Sequence, residues 1–268
     1  MIKLIAIDLD GTLLNSAKTI SPRNIEALKK AEAQGVKVVI TTGRPLAMIE
    51  PYIEAIGSHK EDDYSITFNG GLVQRNLSGE ILAKRLMTRE EVDDIARLAR
   101  ELDLPMDVLS EANVLQLPTS QNLESLYGLA NPYLNFIQDV KLDDWKIFNK
   151  AVMTDEPARL DEKIAKIPQE YRDRYEVIKS RDMLLEFMSR GITKASGLEM
   201  LRKILGIEIS EIMSLGDEEN DLNMIEYAGL GVAMGNAVET VKQAADVVME
   251  MTNDEDAVAI AVERFVLQ

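Results

Sequence analysis

Ile2-Lys3-Leu4-Ile5-Ala6-Ile7-Asp8-Leu9-Asp10-Gly11-Thr12-Leu13 is the stretch whose reading decides the fold. A nearly unbroken apolar run, interrupted only by Lys3, stops at two aspartates one residue apart, then a glycine and a threonine. Such a run reads as a strand covered on both faces, as in a parallel sheet. In these sheets ligands bind outside the carboxyl ends of the strands. The strand period of two puts Asp8 and Asp10 on the same side, at the mouth of the sheet. Adjacent carboxylates repel unless a cation joins them, so a hard metal such as Mg2+ is the first expectation. Asp-Gly after a strand is also a hairpin signal, and this stretch alone leaves that reading open. An EF-hand loop does not fit, because the glycine comes too early and Thr19 stands where the closing glutamate belongs.

Working outward, Ser21-Pro22 opens a helix, with Ser21 as N-cap, Pro22 at the first helical position and Ile20 stapling onto Ile25. Ile25, Leu28 and Ala31 mark its inner side, and Gly35 ends it. Val36–Ile40 is a second apolar strand that stops at Thr41-Thr42-Gly43-Arg44-Pro45. The helix after it carries Pro51, which predicts a kink or a local restart. Ser65–Phe68 is a third strand, closed by Asn69-Gly70-Gly71. This strand–helix alternation predicts an α/β fold, a doubly wound Rossmann-like parallel sheet.

The rhythm then changes. Leu72–Leu86 reads as a hairpin around Asn76-Leu77-Ser78-Gly79, and Thr88-Arg89-Glu90-Glu91 is a capping box before an amphipathic helix. Short strands, a helix near Leu123–Ala130 and further strands near 147–153, 175–179 and 183–187 predict an α+β insert over 84–189. The core, 1–83 and 190–268, resumes with a helix from Thr193 to Leu205. Ile212–Leu215 is then a strand ending in Gly216-Asp217-Glu218-Glu219-Asn220-Asp221. A further strand at 230–234, one at 247–249 and a closing helix complete it.

The second acidic cluster stands where the first did, just past an apolar strand. Two such clusters can converge on one Mg2+. An acidic helix N-terminus accounts for Glu218 and Glu219 but not for the Gly-Asp strand end with a further Asn-Asp pair. Lys194, in the first turn of its helix, opposes the macrodipole at a cost of roughly 0.3–1 kcal/mol if exposed. Either it extends into water, or an anion at that helix end turns the cost into a gain. Thr42-Gly43 offers a hydroxyl and free N–H groups that suit a phosphoryl oxygen, or an ordinary helix cap. No GxxxxGK[ST] loop is present, and Gly229, Gly231 and Gly235 lack dinucleotide spacing.

Composition narrows the chemistry further. At 268 residues, 46% hydrophobic and 28% charged, the chain can fill one large domain or two modest ones. A net charge of −16 disfavours nucleic acid and anionic membranes as partners. No apolar stretch approaches the ~18 residues of a membrane span, and no cleavable leader is evident, so a cytoplasmic location is expected. There is no cysteine, and the single histidine, His59, lies in a polar loop-like run. A thiolate nucleophile is thereby excluded, and a Ser-His-Asp triad or a zinc site disfavoured.

Asp8-Leu9-Asp10-Gly11-Thr12-Leu13, Thr42-Gly43-Arg44, Lys194 and Gly216-Asp217-Glu218-Glu219-Asn220-Asp221 together resemble the four ordered motifs of the haloacid dehalogenase-like superfamily. The insert's position, after the third strand and before the lysine, is similar to the Cof-type branch and its sugar phosphatases. Ala195-Ser196 departs from the glycine-threonine usual after that lysine, which weakens the backbone part of the site. The resemblance implies a Mg2+-dependent phosphatase acting on small phosphorylated metabolites, most of all sugar phosphates, through an aspartyl-phosphate. It implies Asp8 as nucleophile and Asp10 as acid/base. The metal would be held by Asp8, the Asp10 carbonyl and Asp217, and the phosphoryl oxygens by Thr42, Gly43, Leu9, Lys194 and Asn220. Asp221 would support the metal's waters or orient Lys194, and Arg44 and Asn69 are candidates to face the substrate. A phosphomutase or phosphotransferase using the same intermediate, or a non-catalytic phosphometabolite sensor, are the alternatives.

Overall fold

The computed structural model describes all residues except 119–122, 133, 139 and 268. It divides into two compact units, Met1–Lys84 with Thr193–Gln268, and Arg85–Ile192. The first unit begins with strands β1 Leu4–Ile7, β2 Lys37–Thr41, β3 Tyr64–Thr67, β4 Leu72–Arg75 and β5 Ile81–Lys84. The insert holds β6 Met106–Ser110, β7 Asn113–Gln116, β8 Asn135–Ile137, β9 Lys150–Thr154, β10 Tyr175–Arg181 and β11 Leu184–Ser189. The first unit then resumes with β12 Ile212–Gly216, β13 Leu230–Ala233 and β14 Val247–Val248.

Among the described residues, the sheet of the first unit runs β14-β13-β12-β1-β2-β3-β4-β5. It is parallel from β14 to β3, and β4 and β5 close it as the expected antiparallel hairpin. This is the α/β architecture anticipated from the alternation. β1 lies between β2 and β12, with Ile7 opposite Ile40 on one side and Leu215 on the other. The chain therefore leaves β1 in one direction and returns on its other flank, a topological switch point where the strand ends open a crevice.

The apolar run of β1 has a direct cause. Ile5 and Ile7 pack on one face with Val38, Ile40, Met213 and Leu215, beneath Leu28 of the helix Pro22–Ala33 and Val262 of the helix Ala257–Phe265. Leu4 and Ala6 pack on the other with Val39, Ile66 and Ile212, beneath Leu198 and Leu201 of the helix Lys194–Leu205. Both faces are covered, so both phases of the strand are apolar. At the start of Pro22–Ala33, the Ser21 hydroxyl accepts from Asn24 N at 3.1 Å. Pro51 produces a restart: a 3-10 turn at Leu46–Met48 precedes a new helix, Glu50–Ile56, with the proline in its first turn.

In the insert, among the described residues, the sheet order is β10-β11-β9-β6-β7-β8. Val108, Ala151, Met153, Leu185 and Phe187 form a core of their own with Val92, Ile95 and Leu98 of the helix Arg89–Glu101 and Leu160 of Pro157–Ile164. The capping box at Thr88 and Glu91 is formed. The helix expected near 123–130 is shorter, Tyr127–Ala130. The residues before it are tied to the sheet instead: the Ser125 hydroxyl donates to Asp107 at 2.5 Å, and Leu126 N donates to the Thr154 hydroxyl at 2.9 Å. No helix among the described residues is long and apolar enough to cross a membrane.

Candidate active site

The site assembles at the carboxyl ends of β1, β2, β3 and β12, all in the first unit. Asp8 follows β1 and keeps its ladder for one more step, its N–H donating to Leu215 O at 3.0 Å. The backbone then turns sharply, with Leu13 N donating to Asp8 O at 3.2 Å and Leu14 N to Leu9 O at 2.8 Å. Gly11 makes the turn possible: its φ is +88°, and a Cβ there would overlap the Asp217 carboxylate. The turn delivers the Thr12 hydroxyl to Asp217 Oδ1 at 2.6 Å. It thereby links the first acidic motif to the second, which follows β12.

Lys194 opens its helix behind a capping box formed by Thr193 and Ser196. Its side chain does not reach water. It is fully buried, with Nζ 2.5 Å from both Asp8 Oδ1 and Asp221 Oδ1. The other oxygen of Asp221 accepts from the N–H groups of Asp217 at 2.9 Å and Glu218 at 3.1 Å. Asp221 therefore ties the lysine to the loop that carries Asp217. Burial alone would lower the Lys194 pKa, but Asp221 and Asp8 together hold it above its ordinary value.

Carboxylate oxygens of Asp8, Asp217 and Asp221 lie within 4.8 Å of one another, all three residues buried. One ammonium faces them. The deficit shows in their proton affinity: burial, then Asp221, drive the Asp8 pKa well up against the pull of Lys194. Burial also pushes Asp217 to about 7, although the Thr12 bond draws it down. A cluster of hard oxygen donors short of positive charge suits a divalent cation, and these residues fit one. Asn236 also reaches this corner, its amide donating to Gly11 O at 2.8 Å and lying 3.4 Å from Asp217 Oδ2.

Asp10 belongs to a different set of contacts. Its carboxylate accepts from Arg44 Nε at 2.8 Å and Nη2 at 2.6 Å, and from Lys18 Nζ at 3.0 Å. Burial raises its pKa, but the two cations outweigh that and hold it below the usual range. The strand period that put Asp8 and Asp10 on one side ends with β1 at Ile7. Beyond it the turn gives each carboxylate its own cation. Arg44, a candidate to face the substrate, clamps Asp10, and its N–H donates to the Thr42 hydroxyl at 3.2 Å. Asn69, the other such candidate, accepts from Asn220 Nδ2 at 3.3 Å and donates its backbone N–H to Thr42 O at 2.9 Å.

Sequence reasoning passed over Thr12, Lys18 and Asn236. Thr12 lay inside the quoted motif. Asn236, just after β13, could have been found by asking of each strand end what polar residue follows it. Lys18 gave no signal, because its reach depends on the loop after Leu14 folding back through an Asn15–Thr19 turn.

A family model for haloacid dehalogenase-like hydrolases matches residues 5–262. A protein of Streptococcus pyogenes serotype M6, provisionally named a phosphatase, is 35% identical over 268 residues, covering 99% of each chain. The 5-amino-6-(5-phospho-D-ribitylamino)uracil phosphatase YcsE of Bacillus subtilis is 33% identical over 266 residues, 99% of this chain and 96% of its own. The solved structure of the sugar phosphatase BT4131 has a TM-score of 0.76 at 28% identity, covering 98% of both chains. The chain belongs to the haloacid dehalogenase-like hydrolases and is an enzyme of their phosphatase class.

Proposed function

We propose that the protein is a Mg2+-dependent phosphatase that hydrolyses phosphate monoesters of small polyhydroxylated metabolites, sugar phosphates first, through an aspartyl-phosphate. One observation carries the reading: a buried carboxylate, Asp8, stands at the switch point with Lys194 Nζ 2.5 Å away and Asp217 and Asp221 clustered beside it. An oxygen of Asp8 would attack phosphorus, forming an O–P bond as the bond to the leaving oxygen breaks. Asp10 would give that oxygen a proton, then take one from the water that attacks phosphorus in the second half. Inorganic phosphate leaves and Asp8 is restored. Thr42, the backbones of Gly43 and Leu9, Lys194 and Asn220 are assigned to the phosphoryl oxygens. The Asp8 carboxylate, the Asp10 carbonyl and Asp217 would hold Mg2+, which supplies the positive charge that lets an anionic nucleophile meet an anionic phosphate. Asp221 keeps Lys194 aimed at Asp8.

Arg44 and Lys18 hold Asp10 ionised in the free protein, so the proton donor has to be made when substrate enters and loosens that clamp. The polyhydroxylated leaving group is supported by the resemblance noted in the sequence and by two comparisons, one with a sugar phosphatase and one with a phosphatase whose named substrate carries a phosphorylated ribityl chain. The net charge of −16 disfavours nucleic acid and anionic membranes as partners, which favours a small phosphorylated metabolite of the cytoplasm as substrate. The test is phosphate release from a panel of sugar phosphates with Mg2+. Asp8→Asn should abolish turnover while the far-UV circular dichroism stays that of the wild type. Turnover retained in that variant, or full activity in excess chelator, would overturn the mechanism.

A further inference from the structure

Phe68, Asn69 and Gly70 follow β3 with φ of +52°, +53° and +98°. Two consecutive non-glycine residues in the left-handed region are costly for the backbone and persist only where their surroundings hold them. Both are buried, Asn69 to 2% exposure. Contacts on three sides hold this turn, and each side leads to a different part of the phosphoryl site. On the β2 side, Asn69 N–H donates to Thr42 O at 2.9 Å, and its amide packs on Gly43, where a Cβ would lie 3.0 Å from Asn69 Oδ1. On the β12 side, Asn220 Nδ2 donates to Asn69 Oδ1 at 3.3 Å. Toward the helix of Lys194, a Cβ on Gly70 would overlap the Thr193 carbonyl, and one on Gly197 would lie 2.7 Å from Gly70 Cα.

We infer that the turn Phe68-Asn69-Gly70 is the positioning element of the phosphoryl site, with Asn69 its central positioning residue. It rests on the phosphatase reading above and sets the spacing between Thr42-Gly43, the helix start at Lys194, and Asn220. The residue type fits the task. Asparagine tolerates the left-handed backbone better than other residues with a Cβ, and its carbonyl gives Asn220 an acceptor. Glycine would keep the backbone and lose that tether. Alanine would lose the tether and strain the turn. Aspartate would keep an acceptor but add negative charge where a phosphate is to bind.

The test compares the full-length wild type with Asn69→Gly, Asn69→Ala and Asn69→Asp. Melting temperature, kcat and KM for p-nitrophenyl phosphate, and calorimetric binding of inorganic phosphate in the presence of Mg2+ are measured on each. Asn69→Gly should melt near the wild type yet bind phosphate and turn over substrate at least about tenfold more weakly, the usual effect of losing a residue that orients a ligand-binding neighbour. Asn69→Asp should fall further, and Asn69→Ala should also lose melting temperature. Wild-type phosphate binding in Asn69→Gly, with any deficit confined to melting temperature, overturns the inference. If the wild type binds phosphate but does not hydrolyse the ester, the phosphatase reading fails while the binding comparison still decides the positioning role. If the wild type binds no phosphate, both fall.

Discussion

Lys194 shows how one residue can report on a whole site. In the sequence it opposes its helix dipole; in the structure it is buried between Asp8 and Asp221 at 2.5 Å from each. Removing one partner of a buried ion pair costs about 3–5 kcal/mol because the charges left behind have no counterion. Lys194→Met should therefore lower stability by an amount of that order in chelator, read from urea unfolding. Mg2+ should recover part of it, since a divalent cation supplies the missing charge. No response to Mg2+ would argue against a cation site among these carboxylates. Asp107, in the insert, makes the opposite argument. Burial raises its pKa to about 6, and the Ser125 bond only partly opposes this. The folded state thus holds a proton that the unfolded chain releases near pH 4, so stability falls as pH rises from about 4 to about 6 and is level above. Asp107→Asn should flatten that slope and be the more stable protein at pH 7, because its amide stays neutral and can still accept from Ser125. Unfolding curves at stepped pH for the two proteins decide it.

At the scale of elements, the boundaries that could be read from sequence were those with a local physical signal. Ser21-Pro22 and Thr88–Glu91 cap the helices they were expected to cap, Thr193 caps the helix expected to begin there, and the apolar runs before the two acidic clusters became strands buried on both faces. What was not legible depended on distant partners. The helix near 123–130 is cut short by bonds to Asp107 and Thr154, which no local pattern encodes. Asp8 and Asp10 looked like one pair, yet the turn at Gly11 and the reach of Arg44 and Lys18 separate them. The acidic strand ends themselves were legible because parallel sheets place chemistry at carboxyl ends. The close contact between the helix of Lys194 and the turn after β3 has a measurable consequence of its own. A Cβ on Gly197 would strike Ile66 Cγ2 and Gly70 Cα. Gly197→Ala should therefore cost about 1–3 kcal/mol by overpacking, against the gain in helix propensity that alanine normally brings. A neutral or stabilising result in a melting experiment would mean that the helix can shift away at no cost.

For the whole molecule, the two units have separate apolar cores: Ile7, Leu28 and Val262 belong to one, Ile95, Leu160 and Phe187 to another. The residues assigned to catalysis and phosphate binding all fall within Met1–Lys84 and Thr193–Gln268. Trp145, the only tryptophan, packs on the core of the insert and is a natural reporter of that unit alone. A ligand stabilises the unit that holds its site by RT ln(1 + [L]/Kd), or about 2.7 kcal/mol at a hundredfold excess over Kd. Mg2+ with inorganic phosphate should therefore move loss of activity to higher urea and leave the Trp145 fluorescence transition in place. Ile95→Ala should do the reverse, shifting the fluorescence transition by about 2–5 kcal/mol through a cavity in the insert. If both probes move together in both experiments, the two units unfold as one cooperative body, and binding energy from the phosphate site then stabilises the insert as well.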